Sequence, residues 1–528
     1  MESSVSVTRT HPAGTRSHGA VTSSRAEKST PASPAAATTT RAARNGGHAA
    51  HTAYEKDATG AGLRELVPAA SKKASVPLGS WSHKETSGAP GSVVAQNKAF
   101  ARMLQCDAPD RSRLVDAAIH KRLASQHAYY RGVADARTQV LARELPAANY
   151  KGKAGFVLST GDMHLYQPGT VTHPTHGIMV GVGDSDRVGF GPYEWDVRSL
   201  ATSVELEGRV KKLPVAVREK AMEAMLEAYR DGVKEVANAK DPEKAAKGLR
   251  LTQDTAPAIF RDLLTRAGDA GRKAFLEEHV VMKPFARLRR EAGVLEDVPD
   301  RPAGARARVE NALRDALPAY IQSLPQESRK ALDGFQLVDV AVPFKGNGSL
   351  GYGRYRVLLE PKGGASKPQD LVILEFKEQL PSAIGKYVDQ KSTRSLGEDQ
   401  ASRAVNLFRL GTGMGLVQTW GHVELPRGCG VTSNHFTVKD VRQDEKGVDL
   451  AGCSEKEFVE MARAQGRLLA SFQTLGGVNG ASQGVGGASD ILADIKSRPD
   501  WEQQNVDGAR ALADRFSAEA SAFAKSHA

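Results

Sequence analysis

The sequence has few cysteines and no long apolar run. Cys106, Cys429 and Cys453 are the only cysteines among 528 residues, and no two of them stand at CxxC spacing. This scarcity argues against a disulfide scaffold or a zinc ribbon and favours a reducing compartment, so we expect a cytoplasmic protein. No run of 18 or more apolar residues occurs, and the N-terminus has no apolar signal-peptide core. We therefore expect no membrane span.

Aromatic residues are also scarce, at 6% of the chain, although the formal net charge is +11. A basic balance favours anionic partners in general. The basic runs at 209–212 and 287–290 are not interleaved with aromatic residues, which single-strand binding surfaces use for stacking. The sequence therefore predicts anionic small molecules such as nucleotides as partners, and no specific nucleic acid.

The first 50 residues contain no Leu, Ile, Phe, Tyr or Trp, and their only acidic residues are Glu2 and Glu27. Such a segment cannot bury enough apolar surface to offset its ordering entropy. We therefore expect a disordered Ser/Thr/Ala/Pro-rich tail over 1–90. Its composition also resembles the leaders of bacterial type III effectors, so export to a host cell is the alternative localisation.

The rest of the chain predicts an α+β fold, because helical periodicity alternates with apolar strand patterns. We expect a mainly helical lobe over 91–335, a β-rich lobe over 336–430, and a helical part over 431–528 that completes the helical lobe. Strands are predicted at 337–342, 355–359 and 371–377, and the glycine-rich stretch 476–487 is predicted to be a flexible loop.

Two short apolar strands each lead into an aspartate. Residues 155–159 precede Asp162, and 178–182 precede Asp184. Phosphoryl transfer from ATP needs an acidic group to orient the acceptor hydroxyl and oxygen ligands for Mg²⁺. Asp162 is therefore the candidate catalytic base, and Asp184, Asp186 and Gln167 are candidate metal ligands, with His164 bracing the loop. Two ordinary surface turns would carry the same residue types.

A glycine-rich hairpin supplies a candidate phosphate site. The glycines lie between two predicted strands, which argues against a Rossmann fold because that fold needs a following helix. A kinase-type flap fits this context, and a lysine at the end of the next strand would reach the phosphates. Glu398 is the candidate acidic partner of that lysine, and a plain hairpin turn is the alternative. The candidate nucleotide-binding residues are Gly346, Gly348, Ser349, Gly351 and Lys377.

The order of these elements is unusual, because the glycine flap of ordinary kinases precedes the catalytic aspartate and here it follows. A circularly permuted, two-lobed kinase-like fold would reconcile the order. In that arrangement Asp196, in the run GPYEWD, would brace the catalytic loop. The alternative role for Asp196 is packing plus a helix N-cap.

The chain resembles a bacterial family called domain of unknown function 2252, over residues 95–525. Four runs carry the resemblance in the family's order: GDMHLYQ, GVGDSDRVGFGPYEWDVRSLATS, GNGSLGYGRYRVLLE and LVILEFKE. The resemblance implies a kinase-like fold with an unassigned substrate. The positions that match the family pattern are Asp162, His164, Asp184, Asp186, Asp196 and Lys377.

Three positions depart from the family pattern. Gln167 stands in place of an asparagine, Gly181 in place of an aspartate, and a residue near Gln473 in place of a histidine. Gln is longer than Asn but still offers an oxygen, so these changes bear on activity more than on fold. They motivate a second hypothesis, a catalytically silent kinase-like binding protein.

The first hypothesis is an ATP-dependent phosphotransferase that uses Mg²⁺ and acts on an unidentified hydroxyl acceptor, either a small molecule or a protein. A metal-dependent hydrolase is the third. His173 and His176, together with Asp162 and Asp184, carry that alternative, because such residues can bind zinc or two metal ions.

Overall fold

The structure, a computed structural model, describes most of the chain from residue 117 onwards. The described residues are 117–173, 177–184, 186–300, 303–348, 352–391, 396–412, 419–430 and 433–527. The tail predicted for 1–90 lies outside the described residues, as does the first part of the predicted helical lobe of 91–335. Both the disordered tail and the export leader therefore stay predictions.

Helices make up nearly half of the described residues. Their bounds are α1 (Gln126–Gly132), α2 (Ala134–Glu144), α3 (Tyr193–Val210), α4 (Val215–Ala237), α5 (Pro242–Gly248), α6 (Ala258–Gly268), α7 (Arg272–His279), α8 (Ala305–Ser323), α9 (Gln326–Leu332), α10 (Gln400–Thr412), α11 (Glu455–Asn479), α12 (Ala488–Lys496) and α13 (Trp501–His527). Within the described residues, every helix is too short or too polar to cross a bilayer.

The helical core is built around α4 and α11, which pack against each other in parallel, with Glu227 paired to Arg463 and Glu235 to Arg467. A capping box of Ser454 and Glu457 begins α11, in which each side chain hydrogen-bonds the other's backbone N–H. A Cβ atom at Gly466 would lie 2.1 Å from the carbonyl oxygen of Met225, so only glycine permits this close approach of the two helices. The apolar faces of α3, α6 and α12 complete this core.

The strands form one large sheet and three small antiparallel pairs. Their bounds are β1 (Val157–Ser159), β2 (Pro168–His173), β3 (Gly177–Val182), β4 (Gly189–Gly191), β5 (Val280–Val281), β6 (Arg287–Leu288), β7 (Leu295–Asp297), β8 (Phe335–Pro343), β9 (Arg354–Pro361), β10 (Val372–Glu378), β11 (Gly421–Glu424) and β12 (His435–Asp440). The large sheet has the order β11-β12-β10-β9-β8-β7, and β1 pairs with β4, β2 with β3, and β5 with β6.

Alternation along β10 gives the large sheet two different faces. Leu374 and Phe376 are buried against α8, where the rings of Phe376 and Tyr320 lie 6.1 Å apart. Successive side chains of a strand point to opposite faces, so Glu375 and Lys377 lie on the other face. That face borders the cleft described below.

The predicted α+β class is confirmed, as are the strands predicted at 337–342, 355–359 and 371–377, which correspond to β8, β9 and β10. The apolar runs 155–159 and 178–182 correspond to β1 and β3. Mixed helices and an antiparallel sheet follow directly from the two periodicities in the sequence.

The loop predicted at 476–487 is wrong in part. Helix α11 continues to Asn479, and the next helix, α12, already begins at Ala488. The glycines there serve close packing, because a Cβ atom at Gly476 would lie 2.5 Å from Cβ of Leu158 in β1. Composition alone suggested flexibility, whereas the tertiary contact explains the glycine.

Candidate active site

The loop after β1 is anchored by a carboxylate of α3. Asp196 accepts hydrogen bonds from the backbone N–H of Thr160 (2.7 Å), from the Thr160 hydroxyl (2.9 Å) and from the Gly161 N–H (3.3 Å). Asp196 itself is buried. Burial raises the pKa of Asp196, although the hydrogen bonds from Thr160 and Gly161 oppose that shift. The loop therefore starts from a position fixed by a helix.

Asp196 is not a helix N-cap, which was the simpler of the two roles left open for it. The N-cap of α3 is Pro192, and no side chain caps that end of the helix. Asp196 lies in the first turn, where its charge also complements the positive end of the helix dipole. Its contacts are those of a residue that braces the loop.

Asp162 lies in this loop and forms an ion pair with Arg137 of α2. The Arg137 side chain is buried and also donates to the carbonyl oxygen of Tyr130 (3.2 Å). The Asp162 side chain keeps 21% of its surface exposed. Burial raises the pKa of Asp162 to about 6, although the charge of Arg137 opposes the shift. A carboxylate with that pKa is ionised at neutral pH and still accepts a proton readily.

His164 and Gln167 tie the same loop to itself. His164 Nδ1 accepts a hydrogen bond from the backbone N–H of Tyr166 (3.1 Å). Burial holds the pKa of His164 well below its usual value, so the imidazole is neutral. The Gln167 side-chain N–H donates to the carbonyl oxygen of Asp162 (3.3 Å). The nitrogen of the Gln167 amide is thus used within the loop, and its oxygen is the atom suited to a metal.

Asp184 and Asp186 follow β3 and meet a lysine from the large sheet. Lys377 Nζ lies 3.2 Å and 3.0 Å from the two carboxylate oxygens of Asp184 and also forms an ion pair with Asp186. Gln379 donates a further hydrogen bond to Asp186 (3.1 Å). These contacts join residues that are far apart in the sequence.

The pKa values of the two aspartates are shifted in opposite directions because the two carboxylates share one cation. Burial raises the pKa of Asp184, but the charge of Lys377, the hydrogen bonds with Asp186 and Lys377, and the charge of Arg354 together hold the pKa below its usual value. Burial and the nearby charge of Asp184 raise the pKa of Asp186. Two carboxylates so close together favour a cation between them.

The glycine hairpin between β8 and β9 is described except for residues 349–351. Gly346 and Gly348 border the cleft, and Gly346 has a left-handed backbone with φ of +87°. Ser349 and Gly351 lie outside the described residues, so their predicted role in nucleotide binding stays a prediction. Left-handed backbone at Gly346 is a conformation that glycine adopts without strain.

The part of the hairpin that precedes residue 349 is attached to α1. The side-chain amide of Asn347 donates to the carbonyl oxygen of Ala128, and Arg122 donates to the Asn347 carbonyl oxygen (3.4 Å). A Cβ atom at Gly132 would lie 2.8 Å from both Arg122 Nε and Asn347 Oδ1. Glycine at the end of α1 therefore lets the hairpin lie close to the helix.

A cleft of about 600 Å³ separates the acidic loops from the charged face of the sheet. This size is typical of small-molecule sites. Predicted site residues that border it are Asp162, His164, Gln167, Asp184, Asp186, Gly346, Gly348 and Lys377. The structure therefore brings together at one cleft the candidate catalytic, metal-binding and nucleotide-binding residues that it describes.

Glu398 is not the partner of Lys377, contrary to the sequence-based expectation. Glu398 is exposed just before α10, and the carboxylates that contact Lys377 are Asp184 and Asp186. A kinase-like order of elements predicts that the acidic partner lies on a helix after the lysine. The partner came instead from the loop after β3, which precedes the lysine in the chain.

Sequence reasoning also missed several charged residues around the cleft. Arg137 lies in a helix with no motif to mark it. The charged residues on the sheet could have been identified from the sequence, because charged residues two positions apart in a strand share a face. The missed residues that border the cleft on the sheet side are Lys345, Arg354, Glu375 and Lys439.

The described residues contain no group of three or more His, Cys, Asp or Glu placed to hold a metal ion. Mg²⁺ commonly takes one or two carboxylates and completes its shell with water and phosphate oxygens. Asp184 and Asp186 supply that number beside the cleft. The zinc alternative stays a prediction, since His176 and the side chain of His173 lie outside the described residues.

The structure shows what surrounds two of the positions that depart from the family pattern, Gly181 and Gln473. A Cβ atom at Gly181 would lie 2.8 Å from a methyl group of Val171, across the β2–β3 hairpin. Gln473 is buried in α11, where it accepts a hydrogen bond from the Tyr229 hydroxyl and donates to the carbonyl oxygen of Tyr193 (3.1 Å). Gln473 thus belongs to the helical core rather than to the cleft.

Comparison with known proteins gives one match. Neither a curated protein nor a solved structure matches the chain. The bacterial family described as "Uncharacterized protein conserved in bacteria (DUF2252)" matches residues 112–525, a range that includes every element that borders the cleft. The chain therefore belongs to this family.

Proposed function

We propose that the protein is an ATP-dependent phosphotransferase that acts on a hydroxyl group of a small molecule or protein. The observation that carries the proposal is the contact of Lys377 Nζ with Asp184, at 3.0 Å, beside Asp162 in one cleft. An ammonium group and several carboxylates at one cleft are the charges that a magnesium-bound triphosphate needs.

Each wall of the cleft has its own role in this proposal. Asp162 accepts the proton of the acceptor hydroxyl, and its pKa of about 6 suits a base at neutral pH. Asp184 and Asp186 hold Mg²⁺, with the Gln167 oxygen as a further ligand. Bound Mg²⁺ would neutralise charge on the phosphate oxygens.

The ion pair of Lys377 suggests how the nucleotide enters. Without nucleotide, Lys377 neutralises the two aspartates. A magnesium-bound triphosphate offers Mg²⁺ to the carboxylates and phosphate oxygens to the ammonium group. Each charge then exchanges one partner for another, so entry leaves no charge of this group unpaired.

The proposal includes a circularly permuted kinase-like arrangement. In the chain order, the acidic loops after β1 and β3 precede the sheet that carries the glycine hairpin and Lys377. Three features support this arrangement: an antiparallel sheet with a lysine on its cleft face, a glycine turn at the cleft, and acidic loops opposite.

Nucleotide binding in the presence and absence of Mg²⁺ is the first test. We expect ATP to raise the melting temperature of the wild type much more with Mg²⁺ than without it, and Asp184→Asn to abolish the part of the rise that requires Mg²⁺. Asp254→Asn is the matched control, because Asp254 is exposed and lies outside the cleft. Equal responses of the two variants would contradict the proposal.

A catalytically silent binding protein is the second candidate, and Gln167 and Gly181 favour it. Transfer of labelled phosphate from ATP to a panel of hydroxyl compounds, or to the protein itself, separates the two candidates. Magnesium-dependent binding with no ATP turnover beyond that of Asp162→Asn would favour the silent protein. Binding without Mg²⁺ dependence, or failure to bind any nucleotide, would also favour the silent protein and would eliminate the phosphotransferase.

A further inference from the structure

A second charged cluster lies on the cleft face of the sheet, next to Lys377. Glu375 stands two positions before Lys377 in β10 and pairs across the sheet with Arg356 of β9 and Lys439 of β12. Lys345, at the base of the glycine hairpin, adds a further cation, with its Nζ 2.8 Å from the Glu375 carboxylate. The function proposed above does not use this cluster.

The cluster holds more positive than negative charge. Glu375 is only 3% exposed and is the shared partner of Lys345, Arg354 and Arg356, whose nitrogens lie 2.8, 3.7 and 3.8 Å from it. Lys439 has its own partner, Glu445, at 3.0 Å. Three cations therefore share one buried carboxylate, and the formal excess of two positive charges within the cluster is offset in part by Asp184, whose charge acts on Arg354 and Lys439.

Buried hydrogen-bond donors add to this imbalance. The Nε atoms of Arg354 and Arg356 are buried and make no hydrogen bond within the described part of the chain. The side chains of both arginines are about nine-tenths buried. Excess buried charge and unmet donors are costly unless an anion completes the site in function.

We infer that this cluster is a polyphosphate cradle, in which Lys345 and Arg354 bind the phosphate chain of a nucleoside triphosphate. Glu375 is a positioning residue that keeps the cations in place and competes with the ligand for them. The inference rests on the proposed function, because it assigns a second group of cations to the same nucleotide.

The chain connectivity places the cradle where a phosphate chain would pass. Lys345 directly precedes Gly346 of the hairpin, and Arg354 begins β9 on the hairpin's other side. Arg354 also donates to the carbonyl oxygen of Lys345 (3.2 Å), which closes the base of the hairpin. A triphosphate could thus contact Lys377 at one end and Lys345 at the other.

Binding of inorganic tripolyphosphate, measured by calorimetry at low ionic strength without Mg²⁺, tests the cradle separately from phosphate transfer. ATP, ADP and AMP are measured in parallel with Mg²⁺, and these arms distinguish a nucleotide from a free polyphosphate. We expect tripolyphosphate to bind and affinity to fall from ATP to ADP to AMP. Lys345→Met should lower the affinity for both ATP and tripolyphosphate by about tenfold or more, which is the effect expected for the loss of one charged hydrogen bond.

Lys362→Met is the matched control, because Lys362 is an exposed lysine after β9 and its loss changes the net charge equally. Glu375→Gln should tighten tripolyphosphate binding severalfold, since a competing carboxylate is removed. A purely structural cluster would instead lower the melting temperature in both cleft variants and leave affinity unchanged.

The results separate the cradle from the proposed function. Magnesium-dependent ATP binding that Lys345→Met and Glu375→Gln leave unchanged would overturn the cradle and keep the phosphotransferase. Tripolyphosphate binding that depends on Lys345, without nucleotide preference or transfer, would keep the cradle and overturn the phosphotransferase. Equal weakening by Lys345→Met and Lys362→Met would reduce the cradle to general surface charge and overturn it.

Discussion

The two walls of the cleft hold their charged groups by different means. One wall, called here the helical wall, is formed by the acidic loops after β1 and β3. The loop of this wall that carries Asp162 is fixed by hydrogen bonds from its backbone to the buried Asp196 of α3. On the sheet wall, Lys345 and Lys377 are held by ion pairs, and neighbouring strands supply most of the surrounding charge. A hydrogen-bonded loop has one geometry, whereas ion-paired side chains can exchange partners.

This difference indicates a division of labour. Groups that must stay in place for chemistry belong on the helical wall, and groups that must release one partner to bind another belong on the sheet wall. Substitutions of Asp162 or of its anchor Asp196 should therefore affect rate or stability, whereas substitutions of Asp184, which pairs with Lys377, should affect nucleotide affinity. Substitutions on the sheet wall should affect affinity and its dependence on salt.

The largest expected effect is on the rate of phosphate transfer. Asp162→Asn should lower kcat on the order of 10²–10⁴-fold, the usual contribution of a general base, and should leave nucleotide affinity nearly unchanged. Single-turnover transfer and calorimetry measure the two quantities. A parallel loss of affinity would place Asp162 with the binding groups and break the comparison between the walls.

The next effect concerns stability. Asp196→Asn replaces one carboxylate oxygen with an NH2 group and should lower the free energy of unfolding by about 1–3 kcal/mol, because the donors that faced that oxygen lose their acceptor. Those donors are either the Thr160 N–H or the Thr160 hydroxyl together with the Gly161 N–H. Urea denaturation measures the change. Lys377→Met, whose partner Asp184 keeps 45% of its side-chain surface exposed, should change stability less. The reverse order would contradict the division between the walls.

The pH dependence sharpens the role of the Asp162 carboxylate. Its pKa of about 6 lies above its usual value, so the ionised base is lost as the pH falls through 6 and the rate should fall with it. The sign for folding is opposite, because the folded state binds a proton more tightly than the unfolded state. The contribution of Asp162 to the free energy of unfolding should thus rise as the pH falls from 6 to about 4. Profiles of kcat/KM and of unfolding, compared with Asp162→Asn, test both signs.

The smallest effect concerns the amide of the acidic loop. Gln167→Asn introduces the family residue but removes the reach to the Asp162 carbonyl oxygen. We expect the Mg²⁺ concentration needed for half-maximal nucleotide binding to change only about two- to fivefold, because one neutral oxygen ligand adds little beside two carboxylates. A gain of transfer activity in this variant alone would favour the silent-protein hypothesis for the natural chain.

The sequence predicted the helical wall's loops better than the charges around them. Apolar runs that end in aspartate located Asp162 and Asp184, because strand and turn signals are local. Arg137 could not be predicted, since only the folded chain brings α2 to that loop. The pairing of Lys377 was mispredicted as Glu398 for the same reason.

The sheet wall contained more information than its apolar pattern revealed. Glu375 and Lys377 stand two apart in one strand, and Arg354 and Arg356 do so in the neighbouring strand. Side-chain alternation therefore places each pair on one face, once the strands are assigned. What the sequence could not supply was the register between β9 and β10, which brings the arginines to Glu375. Strand register depends on contacts between distant segments.

A crystal structure of the protein with Mg²⁺ and a non-hydrolysable ATP analogue tests the central claim most directly. The account predicts a metal ion coordinated by a carboxylate oxygen of Asp184, and Lys377 Nζ bonded to a phosphate oxygen in place of that carboxylate. A nucleotide bound away from this cleft, or a Lys377 still paired with Asp184 beside a bound triphosphate, would contradict it.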